Sequence, residues 1–353
     1  VDQIECIAEL AETYAHNNAH ITTRQDIQIH YVKLENTMEV MRRLAAVGLT
    51  TREACGNTVR NVTASPSAGV DPEELFDVTP YAHAFAMHML RNPVCQNLGR
   101  KFKVAFDGGG VMSALPLMHE IGLIARVRGT NGTEQRGFKV FAGGGLGSSP
   151  RVAKLLHEFL PVEELIPWGE TILRVFDRHG ERKVRMKARM KFLIEKLGFE
   201  KFKELLEEER RELTVPSDWN DYLNRIDEWT ESPPQVNEAS LRKPSSQLAK
   251  DPGFLAWKKT NVWPQSQKGY SMVVLTPLVT GETNQAKYET LLLEPVKPKI
   301  KKVEITQGER KSDRSLSALE KDLMRAEKKS GVRAALAAEA ARMAGGTDSG
   351  LYR

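Results

Sequence analysis

Apolar and polar positions follow two rhythms along this chain. At the start, Ile4, Ile7, Ala8, Leu10, Ala11 and Tyr14 recur at helical spacing, and the polar pair Asn17-Asn18 ends the run. The rhythm then shifts to period two over 21–32. Read as a strand, this stretch puts Ile27, Ile29 and Tyr31 on one face and Arg24, Asp26, Gln28 and His30 on the other. A second helix follows, with Met38, Met41, Leu44 and Ala45 as its stripe and Gly48 as its stop. Helix, strand, helix is most of a split βαβ half-domain.

Period two returns at Arg100-Lys101-Phe102-Lys103-Val104-Ala105-Phe106, which predicts a strand with Phe102, Val104 and Phe106 on the core face and Lys101, Lys103 and Ala105 opposite. Before it, Thr79 as N-cap and Pro80 as first helical residue open a helix running to about Leu90. After it come two strand candidates, 122–127 and 137–142. The second ends in Gly143-Gly144-Gly145-Leu146-Gly147-Ser148-Ser149-Pro150, where Ser149 and Pro150 predict the start of a helix. Strand, glycine loop and helix N-terminus together form an anion cradle. The spacing does not fit a dinucleotide fingerprint, and no acidic residue ends a following strand. From 161 to 211 the pattern is helical and ends in a charged run read as a solvated face.

Residues 214–268 read as a linker, because Pro216, Pro233, Pro234, Pro244 and Pro252 interrupt any long element. Trp257 and Trp263 near its end predict that it packs against something. A strand is expected over 269–277, within a segment 269–281, and 282–353 reads as a charged helical or disordered tail with a helix over 315–344. Partner docking is the alternative role for that helix.

Composition narrows the classes. With 353 residues and 41% hydrophobic positions the chain can build two ordinary cores. A net charge of +5 is too small an excess for a general nucleic-acid binder. No apolar run reaches membrane-spanning length and no secretory leader pattern opens the chain, so the expectation is no nucleic acid, no membrane and a cytoplasmic location. His83 and His88, five apart, do not share a helix face as ligands, and His119-Glu120 and His157-Glu158 lack the second histidine of a metalloprotease helix. Both pairs are read as ordinary surface or helix residues.

The chemistry sits on three basic elements: Thr22-Thr23-Arg24-Gln25-Asp26-Ile27-Gln28-Ile29-His30, then Gly56-Asn57-Thr58-Val59-Arg60-Asn61, then Arg100-Lys101-Phe102-Lys103. Two lysines side by side repel, so such a pair favours an anion between them. In this order, over about 1–215, the elements resemble the sirohaem-dependent nitrite and sulfite reductases. The resemblance implies an α+β chain: a partial ferredoxin-like half-domain over 1–49, a nitrite/sulfite reductase sirohaem-type α/β sandwich domain over 50–213, and the start of a second ferredoxin-like half-domain over 269–281. It implies that Arg24, Arg60, Lys101 and Lys103 are catalytic residues gripping the oxyanion. Gln25, Gln28, His30, Asn57, Asn61, Gly144 and Gly145 are implied as cofactor-binding residues around sirohaem.

Six-electron reduction of sulfite to sulfide, or of nitrite to ammonia, is the implied activity, with electrons from a ferredoxin or a flavoprotein. Sulfite is favoured, because sulfite-type members tend to carry Lys-x-Lys where plant-like nitrite reductases carry Lys-x-Asn. The family's [4Fe-4S] cluster is held by C-x5-C and a later C-x3-C. Cys6, Cys55 and Cys95, the three cysteines here, do not form that motif, so no metal ligands are assigned to this chain and a separate cluster-binding half is expected. The family's strand before the first helix is also missing, which reads as a fragment or an incorrectly started chain. The alternative function is a non-catalytic tetrapyrrole- or anion-binding module, a truncated relative lacking the iron-sulfur half.

Overall fold

The alternation at 102–106 sets the centre of the larger unit. Phe102, Val104 and Phe106 are fully buried, and the strand they build, β4 (Phe102–Asp107), lies inside a five-stranded sheet. A computed structural model describes residues 2–110, 114–129, 133–147, 149–230, 248–266 and 271–273. The described chain divides into two units, one containing residues up to Arg52 and Pro264's hairpin, the other running from Glu53 through the sheet and its helices.

In the first unit, α1 (Asp2–Tyr14) and α2 (Thr37–Ala46) pack through Cys6, Leu10, Val40 and Leu44. The buried side of α2 is therefore Val40 and Leu44, and the expected Met38 and Met41 are exposed. Between the helices, the expected single strand over 21–32 is a hairpin of β1 (Ala19–Ile21) and β2 (Ile27–Ile29), paired antiparallel with His20 opposite Gln28. The reason is local. Thr22 Oγ1 accepts hydrogen bonds from the backbone N–H of Arg24 and Asp26, and Gln25 takes a left-handed φ of 55°, so the chain reverses over 22–26. Ile27 and Tyr31 are exposed, which leaves Ile29 as the apolar residue of that stretch packed on the helices.

The region read as linker contains real elements. Asp251 accepts from Phe254 N at 2.7 Å and caps α7 (Pro252–Asn261), with Pro252 in its first turn. A hairpin of β8 (Val262–Pro264) and β9 (Ser271–Val273) follows. The rest of the expected strand over 269–277 and the tail over 282–353 lie outside the described residues.

In the second unit the sheet order is β3 (Val59–Thr63), β4, β5 (Ile121–Arg128), β6 (Gln135–Ala142) and β7 (Lys154–Pro161). β3, β4 and β5 run parallel, and β6 and β7 are antiparallel additions. α3 (Thr79–Met89), α4 (Leu165–His179), α5 (Met190–Leu197) and α6 (Phe199–Glu212) contribute to the large core that holds Phe102, Val104 and Phe106. Trp219, Tyr222, Leu223 and Trp229 from the following segment pack on the same core, so its start is attached to the sheet domain. The helix expected after Ser149-Pro150 is absent: Arg151 pairs with Gly145 across the loop and the chain enters β7. Pairing with β6 along its length settles that stretch as strand.

Candidate functional site

β4 carries its core on one face, so its other face is where Lys101 and Lys103 emerge, both half-buried. Lys101 sits among like charges. Burial pushes its ammonium below the ordinary lysine range, the charges of Arg189, Arg60 and Arg100 push the same way, and Glu120 opposes them. The sequence-predicted Arg60 and Lys101 are thus brought into one electrostatic neighbourhood, together with Arg189, which sequence reasoning missed.

Glu120 is the centre of that neighbourhood. It is fully buried at the start of β5, so the reading of His119-Glu120 as surface or helix residues is corrected. Its Oε2 accepts the backbone N–H of Lys103 at 3.0 Å, and its Oε1 accepts Arg189 Nε at 2.6 Å and forms an ion pair with Arg189 Nη2. Burial pushes the carboxyl up, while Arg189 and Lys103 act to keep it ionised. His119, also buried, has Nδ1 2.9 Å from Leu115 O. His157 is likewise no helix residue: it lies in β7 with its ring edge-on to Trp168 at 4.1 Å, and burial pushes it down to about 4.

From Arg189 the network reaches the glycine loop. Arg189 Nη1 donates to Leu146 O at 3.0 Å, and the buried Lys191 donates to Leu146 O at 3.0 Å and Ser149 O at 2.6 Å. Burial first, and then the charge of Arg189, lower Lys191 to about 8. A Cβ on Gly144 would stand 2.4 Å from Leu117 O, and one on Gly145 would stand 2.6 Å from Arg189 Nη2. The glycines admit the protein's own backbone and guanidinium, and the loop is closed by cations from α5 and the residue before it. That replaces the cradle expected at a helix N-terminus.

The other predicted residues fall in two places. Arg60 lies where the register of β3 and β4 slips between Val59 and Val62, an irregularity of the kind that re-aims side chains. Its Nε donates to Gly56 O at 3.0 Å and its Nη1 to Ala54 O at 3.2 Å, so it organises the loop that bears Asn57. Asn57 is exposed and Asn61, in the irregular stretch, is half-buried. In the first unit, Arg24 and Gln25 occupy the hairpin turn, Gln28 is exposed on β2, and His30 follows it with its ring edge-on to His20 at 5.9 Å.

His83 and His88 serve packing on α3. His83 lies 4.5 Å from the Trp229 ring, and His88 contacts both the buried Glu170 at 3.3 Å and Trp219.

A polar face with crowded cations and one carboxylate fits a multiply carboxylated tetrapyrrole. The cysteines do not fit an iron-sulfur cluster. Cys6 is buried in the first unit with Sγ 3.6 Å from Arg43 O, Cys55 is exposed, and buried Cys95 has Sγ 3.8 Å from Met89 Sδ. Burial pushes the Cys95 thiol far up, away from the thiolate a cluster needs.

Such a sheet, with cations gathered around one buried carboxylate, defines an α+β anion-binding scaffold. The chain belongs to the nitrite and sulfite reductase family: residues 1–47 match its "Nitrite/Sulfite reductase ferredoxin-like half domain" and residues 55–213 its "Nitrite and sulphite reductase 4Fe-4S domain". The chain is 35% identical over 203 residues to sulfite reductase (ferredoxin) 1 of Mycolicibacterium paratuberculosis, covering 58% of this chain and 36% of that protein. It is 34% identical over 227 residues to an assimilatory ferredoxin-dependent nitrite reductase of Haloferax mediterranei, covering 61% and 39%. Among solved structures it is similar to Mycobacterium tuberculosis NirA, with 32% identity, a TM-score of 0.55, and coverage of 61% and 38%. The chain thus spans little more than a third of the length of these relatives. No helix among the described residues is long and apolar enough to cross a membrane.

Proposed function

We propose that this chain holds sirohaem and grips the oxyanion in the six-electron reduction of sulfite or nitrite. The observation that carries the reading is Lys101, half-buried among Arg60, Arg100 and Arg189 with Glu120 as the opposing charge. Such an arrangement favours a bound anion, because the charged form of Lys101 is disfavoured by burial and by the cations around it. The matches to sulfite and nitrite reductases support it.

When bound, sirohaem supplies the iron at which the anion is reduced. The chain's own residues do the rest. Arg60 in the sheet unit and Arg24 in the first unit each suit permanent charge on oxyanion or cofactor carboxylate oxygens, and Arg189 joins Arg60 near Lys101. Lys101 and Lys103 attract the anion with their positive charge and donate protons to departing oxygens, a task that suits Lys101 in particular because its proton affinity is lowered. Gln25, Gln28, His30, Asn57 and Asn61 offer hydrogen bonds to cofactor carboxylates. The Lys-x-Lys pattern makes sulfite the first substrate to test, and a ferredoxin is the first donor to test. Since Cys6, Cys55 and Cys95 do not fit a cluster, any [4Fe-4S] group of this site would have to be held by residues outside this chain.

The test is an absorption spectrum with iron and acid-labile sulfide analysis after co-expression with sirohaem synthesis. Sirohaem bands without labile sulfide are expected, and their absence would overturn the reading. K101M/K103M is expected to weaken the bands by roughly tenfold or more in affinity, the scale on which support of a metal cofactor is lost.

A further inference from the structure

The cation cluster shares a single buried carboxylate, and nothing in the proposed gripping of sirohaem or oxyanion uses it. We propose that Glu120 is the positioning residue of this site, setting the strand carrying Lys103 and the guanidinium of Arg189 in one geometry and balancing the charge of Lys101. The inference rests on the reading of this face as an anion site.

Valence and reach single out Glu120. Each oxygen of Glu120 is occupied: Oε2 by the Lys103 backbone N–H, Oε1 by the Arg189 side chain. Those partners come from segments 17 and 69 residues away, so the carboxylate ties β4, β5 and the residue preceding α5 together at a point. Lys103 is oriented through its own backbone, because the strand peptide that bonds Glu120 fixes the direction of the side chain. Arg189 is held from two sides, by Glu120 at Nε and by Leu146 O at Nη1, which leaves a planar fork with little freedom to turn. The Gly143–145 segment joins the same tie, since Glu120 O accepts Gly143 N at 2.9 Å and Gly145 leaves room for the Arg189 guanidinium.

Charge supports the geometry. The groups acting on Lys101 are Arg189, Arg60 and Arg100 in one direction and Glu120 in the other. A fully buried carboxylate is otherwise costly, and three N–H donors directed at it are what makes the anion tolerable. Outer partners of this kind orient the groups that touch a cofactor without touching it themselves.

The test uses the full chain with isotope-labelled lysine, in E120Q and E120D, with thermal melting as the check on folding. Lys101 is assigned with K101R and its titration followed by NMR without any cofactor. In E120Q the Lys101 midpoint is expected to move to lower pH, since the opposing charge is gone. E120D, which keeps the charge, is expected to titrate near the parent chain. On loading with sirohaem, E120Q is expected to lose about tenfold in affinity. An unmoved Lys101 midpoint in folded E120Q, or an E120D chain that titrates like E120Q, overturns the inference. Should E120Q not fold, the same reading is taken from E120D under sirohaem titration. There a partial loss of affinity with a parent-like Lys101 midpoint supports positioning, and parent-like affinity overturns it. With E120Q folded, failure of the parent chain to bind sirohaem would sink the proposed function alone, because the lysine titration is then read without the cofactor.

Discussion

At the scale of single residues, burial decides more than residue type. Glu74 is one case away from the site. Its carboxyl is pushed up to about 7, first by burial and then by Asp77 and Asp71, against a hydrogen bond from Gly69 N at 3.0 Å. Near pH 4 folded and unfolded chains alike carry much of the neutral acid. Between 4.5 and about 7 the unfolded chain ionises while the folded chain keeps its proton, so the stability from this group is lost as pH rises through 7. E74Q is therefore expected to be more stable than the parent chain at pH 8, by on the order of 1 kcal/mol after allowing for solvent screening. The gap should shrink toward pH 5, and paired urea titrations at the two pH values would show it. Lys101 and Lys103 were legible because alternation with Phe102 and Val104 places them on one face. Buried Glu120 and Lys191 and half-buried Arg189 were not, because charged residues are seldom taken out of water and no local pattern marks the few that are.

At the scale of elements, the glycine loop shows how a local signal is outvoted. Ser149-Pro150 is a sound helix start, and Leu156 and Leu160 stand four apart, which suits a helix as well as a strand. Pairing with β6 resolves the ambiguity in favour of strand. The glycines before it then fit between the backbone of Leu117–His119 and the Arg189 side chain. G144A is expected to cost about 1–3 kcal/mol, the range for overpacking, because the atoms it meets are backbone and cannot swing aside. Urea unfolding would measure it, and a cost below 0.5 kcal/mol would contradict the packing described. The hairpin at 19–29 carries the same lesson. The alternation of Ile27, Ile29 and Tyr31 was visible, but the side-chain bonds of Thr22 that reverse the chain before it were not read as a turn.

At the scale of the whole molecule, the two units carry separate hydrophobic clusters, and the main one of the larger unit gathers residues from five strands and four helices. Phe106 is fully buried within it, edge-on to Phe85 at 5.9 Å and to Phe138 at 5.4 Å. F106A is expected to destabilise this unit by about 3–5 kcal/mol, read from tryptophan fluorescence during urea unfolding, since Trp168, Trp219 and Trp229 lie on the same core.

The sequence by itself determined the family, the α+β class, the strand with its lysine face and the helices after 161, because these rest on short-range periodicity and on motifs read in order. Tertiary structure alone decided that Arg189 and a buried Glu120 join Arg60 and Lys101 in one electrostatic neighbourhood. It also decided that β7 is a strand and that Val40, rather than Met38 and Met41, joins Leu44 on the core side of α2. The physical reason is the same in each case: the free energy of these choices comes from partners far away in the chain, and pairing, burial and charge compensation exist only once those partners meet.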